Sequence, residues 1–353
     1  MALSHSNCLP ETGSLPAVRP GPACSGYTVR RLRPEDAAGV AACVRGVYGD
    51  SYPHSELYHP EQILRLNGTG ELISAVALDA GGRVVGHYAL ERPGLGAVAE
   101  EGEALVLPEH RHHHLMEALR GLLEEQAHRL GLTGLFGQAV TNHVFTQKVW
   151  ERFGLRVCGL SLGALPRSME NLGQRLPQRM SLLVGFKYLR PPAGVLLHAP
   201  AQHRAICARV YKQFRMPVEF REPGPAEGPG EVSVECLAGL QEAVIRVRRV
   251  GAETAAEVRR LRRSLGEDPG VEAIFLELPL AQAGTPALCR AVEQDGFFFS
   301  GIGPCFDAGG DALRLQCLKA ELDMGLLQLH CPFARELAAY VARERERVGK
   351  SRL

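Results

Sequence analysis

The chain has 353 residues, of which 45% are hydrophobic and 22% charged, and its formal net charge is +1. This length accommodates two domains of ordinary size, and the composition is that of a folded globular protein, not a disordered one. Near-neutral charge gives no reason to expect nucleic acid or an anionic membrane as partner, and no apolar run approaches the roughly 18–20 residues of a membrane helix.

Residues 1–26 carry four prolines among small polar residues and read as a flexible arm. They lack a charged segment followed by an apolar one, so a secretory signal is not expected and a cytoplasmic location is. Ten cysteines are scattered through the chain with no CxxC pair. Small buried core residues in a reducing compartment is the better reading, and nothing in the spacing supports a Cys8–Cys24 bridge.

Tyr27–Leu32 alternates as a strand does, and Pro34-Glu35-Asp36 opens a helix with proline first and acids facing its dipole. Ala37, Val40, Val44 and Val47 keep helical spacing until Gly46–Gly49. A turn-rich stretch follows, in which Tyr48, Tyr52, His54, Tyr58 and His59 crowd together. Aromatic and imidazole groups in a loop suit a binding surface, and they equally suit packing over a helix end. Leu72–Leu78 and Val84–Leu90 are two strands joined by a hairpin at Asp79–Gly82. Gly94 and Gly96 lead into a strand at Ala97–Leu107, then a loop of one arginine and several histidines. A helix carries Leu115, Leu119, Leu122, Leu123 and Leu130 and ends at Gly131. Leu135–Val140 is a buried strand. The next helix shows Phe145, Val149 and Phe153 at four-residue spacing and stops at Gly154. Leu160–Leu165 and Met180–Tyr188 complete a sheet.

Pro191-Pro192 marks a domain boundary. Beyond it come a helix at Ala201–Phe214, a Pro-Gly stretch at 221–230 that reads as a mobile loop, and strands at Val232–Leu237 and Glu242–Val250. A helix with Val258, Leu261 and Leu265, a strand at Val271–Leu280 and a helix at Pro286–Glu293 follow. Strands at Phe298–Cys305 and Ala312–Cys317 and a helix at Phe333–Val348 end the chain. The arginines between Arg246 and Arg263 read as a solvated helix face. VEAIFLELPL, TPALCRAVEQDGF and FFSGIGP parallel LTGLFGQAV, TNHVFTQKVWERFGL and RVCGLSLG. Each set is a buried strand, a helix closing on glycine with a bulky apolar residue, and a returning strand, which reads as a degenerate duplication. The expected fold is α/β (α+β): a mixed, mostly antiparallel central sheet flanked by helices, in two tandem units at 27–190 and 191–353.

Residues 27–188 resemble the GCN5-related N-acetyltransferase (GNAT) superfamily. Val106–Arg111 matches the approach to that family's pyrophosphate loop, and NHVFTQKVWERFGL its closing helix. VYGDSYPHSELYHPE and QRMSLLVGFKYL are similar to a subgroup of large bacterial members with a second, decayed unit. The resemblance implies acetyl-coenzyme A as cosubstrate, its diphosphate held by loop amides and a helix start. It places Val106, Leu107, Arg111, His112, His113, His114, Leu115, Met116, Asn142 and Lys148 at the cofactor, while the crowding of the aromatic loop makes Tyr48, Tyr52 and Tyr58 the candidate substrate-binding residues. The loop departs from the family pattern: His114 and Met116 replace its two glycines, and His112 a further one. Trp150 stands where the family has a catalytic tyrosine, and an indole is a donor only.

Acyl transfer to an amine needs a base, and a carboxylate on the strand before the loop is the implied position. By strand alternation Glu101 and Glu103 share one face and Glu100 the other. Glu103 is the candidate base, the alternative being that these acids face solvent or pair with nearby arginines. His143, after the potential caps Thr141 and Asn142, is the candidate acid. The histidines at 110–114 are adjacent loop residues with no cysteine or acid at ligand spacing, so no metal site is read there. Two functions follow. One is an acyl-coenzyme A-dependent N-acyltransferase acting on a small-molecule or protein amine. The other is a non-catalytic binding or regulatory protein on the same fold, with a protein partner.

Overall fold

The computed structural model describes residues 24, 26–92, 96–168, 170–171, 174–175, 177–307 and 309–350. The expected arm at 1–26, Cys8 and Gly94 lie wholly or almost wholly outside these.

The first unit runs β1 (Thr28–Arg31), α1 (Ala37–Tyr48), α2 (Pro60–Thr69), β2 (Leu72–Leu78), β3 (Val84–Glu91), β4 (Val98–Val106), α3 (Leu115–Arg129), β5 (Gly134–Val140), α4 (Phe145–Phe153) and β6 (Arg156–Leu165). A small hairpin, β7 (Glu170–Asn171) with β8 (Gln174–Arg175), precedes β9 (Met180–Tyr188). The second unit continues with β10 (Val195–Leu197), α5 (Arg204–Gln213), β11 (Val218–Phe220), β12 (Glu231–Leu237), β13 (Glu242–Arg249) and α6 (Thr254–Glu267). It closes with β14 (Ala273–Pro279), α7 (Thr285–Gln294), β15 (Phe298–Asp307), β16 (Gly310–Leu318) and α8 (Pro332–Lys350).

Local chemistry accounts for the element ends. Asp36 is buried before α1, takes the Arg33 N–H at 2.7 Å and pairs with Arg30. α2 starts on Pro60 and ends at Gly70 with φ 79°. Only Ile63 of α2 is buried, too little periodicity for the sequence to announce it.

Twelve strands form one sheet in the order β1-β2-β3-β4-β5-β9-β6-β15-β16-β14-β13-β12. The pairings from β3 to β6 are antiparallel, parallel, antiparallel and antiparallel. Those from β12 to β15 repeat them: antiparallel, parallel, antiparallel, antiparallel. The helices fall at matching places, α3 and α6 as crossovers of the parallel steps, α4 and α7 before the returning strands. This is the duplicated order that the strand–helix–strand echoes imply.

The units meet where β6 runs antiparallel to β15, with Gly159 opposite Gly301. A Cβ on Gly301 would stand 2.4 Å from the Gly159 Cα and 2.7 Å from the Cys158 carbonyl oxygen. Gly301 also has φ 152°, so both the approach and the backbone require glycine there. The buried Gln316 of β16 reaches across the join: Leu162 N–H donates to its Oε1 at 2.9 Å, and its amide donates to the Leu162 carbonyl. One apolar cluster takes side chains from α4, α5, α6, α7 and α8 and from strands of both units, while α1, α2 and α3 cover a second one on β2–β4.

α4 differs from its expected stripe. Phe145 and Val149 are exposed, at 63% and 36%, and the helix buries Gln147 and Trp150 instead. The indole lies over Gly185 of β9 and Gly137 of β5, where an added Cβ would meet it at 2.7 and 3.3 Å. Side-chain volume against two bare glycines decides the buried face here, which apolar spacing alone does not reveal. The Pro-Gly segment 222–230 is held at several points, Gly224 N–H to the Ala283 carbonyl and Arg249 Nε to the Pro229 carbonyl among them.

Candidate functional site

β4 and β5 pair only through Val98, Ala99 and Glu100 opposite Gly134, Leu135 and Phe136. β4 runs on to Val106 and β5 to Val140 without further pairs, so the two strands part and open a gap in the sheet. At the start of this gap β4 carries a bulge against β3, between His87 and Ala89. Glu103 is the bulged residue, with φ 56°. A glutamate in the left-handed region costs about 1–3 kcal/mol and persists where its surroundings fix it. The buried His87 does this from beneath, its Nδ1 3.0 Å from the Glu103 carbonyl oxygen.

The bulge separates carboxylates that alternation would put together. Glu101 turns to α3, where Arg120 meets it at 2.9 Å with both groups buried. Glu103 turns instead to the loop after α1. There Tyr52 donates its hydroxyl to Glu103 Oε2 at 2.6 Å, and His54 Nδ1 lies 3.1 Å from Oε1. The expectation of one shared face for Glu101 and Glu103 is corrected by this one-residue insertion. Glu91 closes the group from β3, opposite Glu100, and ligating atoms of His54, Glu91 and Glu103 lie within 4.8 Å of one another.

The three candidate substrate-binding tyrosines come together here. Tyr48 and Tyr52 stack at 4.5 Å, the Tyr58 hydroxyl accepts the Tyr52 N–H at 2.9 Å, and Arg45 lies over the Tyr58 ring at 5.3 Å. His54, Glu91 and His87 escaped the sequence reading as site residues. His54 was visible in the aromatic loop, but Glu91 depends on hairpin register and His87 on the bulge.

Electrostatics set the protonation of this cup. Burial, then the charge of Glu103, lifts Glu91 to about 8. Burial also raises Glu103, but His54 and the Tyr52 hydroxyl pull it back. Glu91, lifted to about 8, holds a proton near neutrality, and its hydrogen bond to Glu103 draws Glu103 back toward the ionised form. Burial opposes charge on His54, yet the hydrogen bond to Glu56 and the Glu103 and Glu91 charges raise it to about 10. Burial and the Glu103 charge keep the Tyr52 hydroxyl protonated. Glu91 and His54 thus both hold protons beside Glu103 at neutral pH. Among the described residues a second group of potential ligand atoms, His203, Cys289 and Glu293, has Arg347 against Glu293 at 2.9 Å.

The loop from Leu107 to His114 lies at the far end of β4. Arg111, His112, His113 and His114 are all exposed. His112 and His114 have φ of 68° and 57°, so two histidines take the left-handed conformation that glycine usually supplies. Met116 sits inside α3, half-buried against the apolar cluster with Leu115 buried beside it. No side chain caps the start of α3. Leu107 N–H donates to the Val85 carbonyl at 2.9 Å, so it is engaged with β3 and corrected as a cofactor donor. Ladder alternation then points the Val106 N–H the other way, toward the gap. Asn142, where β5 passes into α4, has a buried Oδ1 with no hydrogen-bond partner among the described residues. An uncapped helix start, a loop already in left-handed shape and an orphaned carbonyl oxygen across the gap fit a phosphate-bearing, amide-containing ligand.

Two expectations change. His143 accepts the Phe145 N–H at 3.3 Å and lies tilted against the Phe145 ring at 5.0 Å, so its imidazole is engaged at the start of α4. Thr141 does not cap the helix, its hydroxyl bonding the Ser181 carbonyl of β9 at 2.9 Å. Lys148 is exposed on α4. Among the described residues no helix is long and apolar enough to cross a membrane.

No family model and no curated protein matches the chain. Solved acetyltransferase structures are similar to it over about half its length. One is the ribosomal-protein-S5-alanine acetyltransferase from Vibrio fischeri, at 13% identity over 48% of this chain and 97% of that one, with a TM-score of 0.39. An N-acetyltransferase from Staphylococcus aureus Mu50 is 14% identical over 47% and 100%, TM-score 0.38. A GNAT superfamily phosphinothricin acetyltransferase from Sinorhizobium meliloti, in complex with acetyl-coenzyme A, is 19% identical over 47% and 89%, TM-score 0.37.

Proposed function

We propose that the first unit is an acyl-coenzyme A-dependent N-acyltransferase that moves an acetyl group to an amine. The observation that carries this reading is Glu103: a buried carboxylate held at a bulge where β4 and β5 part, with the Tyr52 hydroxyl donating to it. An amine arrives protonated and must lose its proton before it attacks, and Glu103 is the group poised to take it. Tyr52 and His54 hold that carboxylate in place, while Tyr48 and Tyr58 form the aromatic wall an ammonium would face. Arg111 and the amides from His112 to Met116 would hold the diphosphate, and Asn142 the pantetheine amide. When bound, the cofactor supplies the activated acyl group. The Val106 N–H is the donor aimed where the developing oxyanion would lie.

Trp150 favours a second reading, a non-catalytic binding protein. Its indole is buried against Gly137 and Gly185 and cannot protonate a leaving thiolate. Acyl transfer through a good leaving group still proceeds with solvent as proton donor, so this loss lowers the rate without removing the base.

Calorimetric titration with acetyl-coenzyme A tests the proposal. Saturable binding that weakens at least tenfold in Arg111→Ala supports it, and no binding at millimolar ligand overturns it.

A further inference from the structure

In the second unit the place matching the cofactor loop is taken by the chain itself. α3 follows β4 through residues 107–114, and α6 follows β13 through residues 250–253, eight residues against four. α7 follows β14 as α4 follows β5. The Pro-Gly segment 222–230 lies against both connections of the second unit. At the β14–α7 side Gly224 N–H donates to the Ala283 carbonyl at 3.0 Å, and a Cβ on Gly284 would stand 3.0 Å from Ala226. At the α6 side Arg249 Nε donates to the Pro229 carbonyl at 2.8 Å. A Cβ on Gly251 would come within 2.2 Å of the Gly230 nitrogen and 2.6 Å of the Gly228 carbonyl oxygen.

The start of α6 is closed in a further way. The Thr254 hydroxyl, 1% exposed, accepts the Gly251 N–H at 2.8 Å, and a Cβ on Gly230 would lie 2.2 Å from that oxygen. The Gly251 contact is backbone on backbone, which glycine permits, and Pro223, Pro225 and Pro229 restrict the φ angles of the segment. In the first unit the matching residues Arg111–His114 and Phe145 are exposed.

We infer that residues 222–230 are a built-in occupant of the second unit's cofactor position, so that the chain takes one acyl-coenzyme A, in the first unit. This rests on the cofactor reading of the first unit, and the test separates the two. Hydrogen–deuterium exchange on the full chain should show Gly224 exchanging at least tenfold slower than in an unstructured peptide. Titration with acetyl-coenzyme A should give one site per chain. Gly251→Val should release the segment to fast exchange while changing acetyl-coenzyme A affinity less than twofold. Two sites on the wild-type chain, or peptide-like exchange at Gly224, would overturn the inference. Absence of any binding overturns the cofactor reading instead, and exchange at Gly224 then decides by itself whether the segment occupies the second unit.

Discussion

Tyr52 and Glu103, 51 residues apart, are joined by a 2.6 Å hydrogen bond from the phenol to the carboxylate. The bond links the loop after α1 to the bulge of β4, and it favours the ionised form of a group that burial would otherwise neutralise.

Removing this donor should therefore show in a pH profile. Tyr52→Phe raises the Glu103 pKa, so the acid limb of kcat/KM moves to higher pH. A hydrogen bond to a charged group contributes about 1.5–3 kcal/mol, enough for a shift of about one pH unit or more. An unmoved limb would mean that Tyr52 only packs.

Stability should fall as the solution becomes basic. Burial pushes Glu91 and Glu242 to about 8 in the folded chain, whereas an unfolded chain releases these protons near the ordinary value of about 4.3. The folded state thus binds more protons between these limits, and stability is lost as pH rises toward 8. His54, raised to about 10, adds the same slope above its ordinary value. Melting scans from pH 6.5 to 8.5 should show a falling Tm, flattened in a Glu91→Gln, Glu242→Gln double variant. A Tm that rises over this range contradicts the assigned protonation.

Trp150 should matter to stability more than its polar helix suggests. Trp150→Ala leaves a cavity over two glycines and should cost about 3–5 kcal/mol in urea unfolding. Gly185→Ala places a methyl 2.7 Å from the indole and should cost about 1–3 kcal/mol. Losses below 1 kcal/mol in both would show that the indole does not fill this space.

The join of the two units depends on Gly301. Gly301→Ala adds a Cβ 2.4 Å from Gly159 at φ 152°, so β6 and β15 must separate. Calorimetric scans should change from one melting transition to two. A single transition at the wild-type Tm would mean that the glycine pair is not what joins the units.

The succession of strands and helices along the chain is legible in the sequence because alternation, helical spacing and turn residues are local patterns, and the strand–helix–strand echo is another. What the sequence hid depends on contacts between distant segments. Glu101 and Glu103 part because a bulge inserts one residue, and alternation alone cannot see it. Glu91 joins the site through hairpin register. The apolar stripe Phe145–Val149 faces solvent because Trp150 finds two glycines, on β5 and β9, that no helical period mentions. His143 engages its Nδ1 with the Phe145 N–H, a contact that depends on the local turn and leaves no mark in the spacing. The 222–230 segment reads as mobile by composition, yet the same prolines and glycines let it lie against α6.

The claim that Glu103 is the base of an acetyl transfer is tested most directly by thiol release from acetyl-coenzyme A with a panel of amines, wild type beside Glu103→Gln. A general base contributes about 10²–10⁴-fold. The prediction is amine-dependent release in the wild-type chain, reduced at least a hundredfold in Glu103→Gln with acetyl-coenzyme A affinity unchanged. Equal rates in the two chains, or release that no amine accelerates, would contradict it.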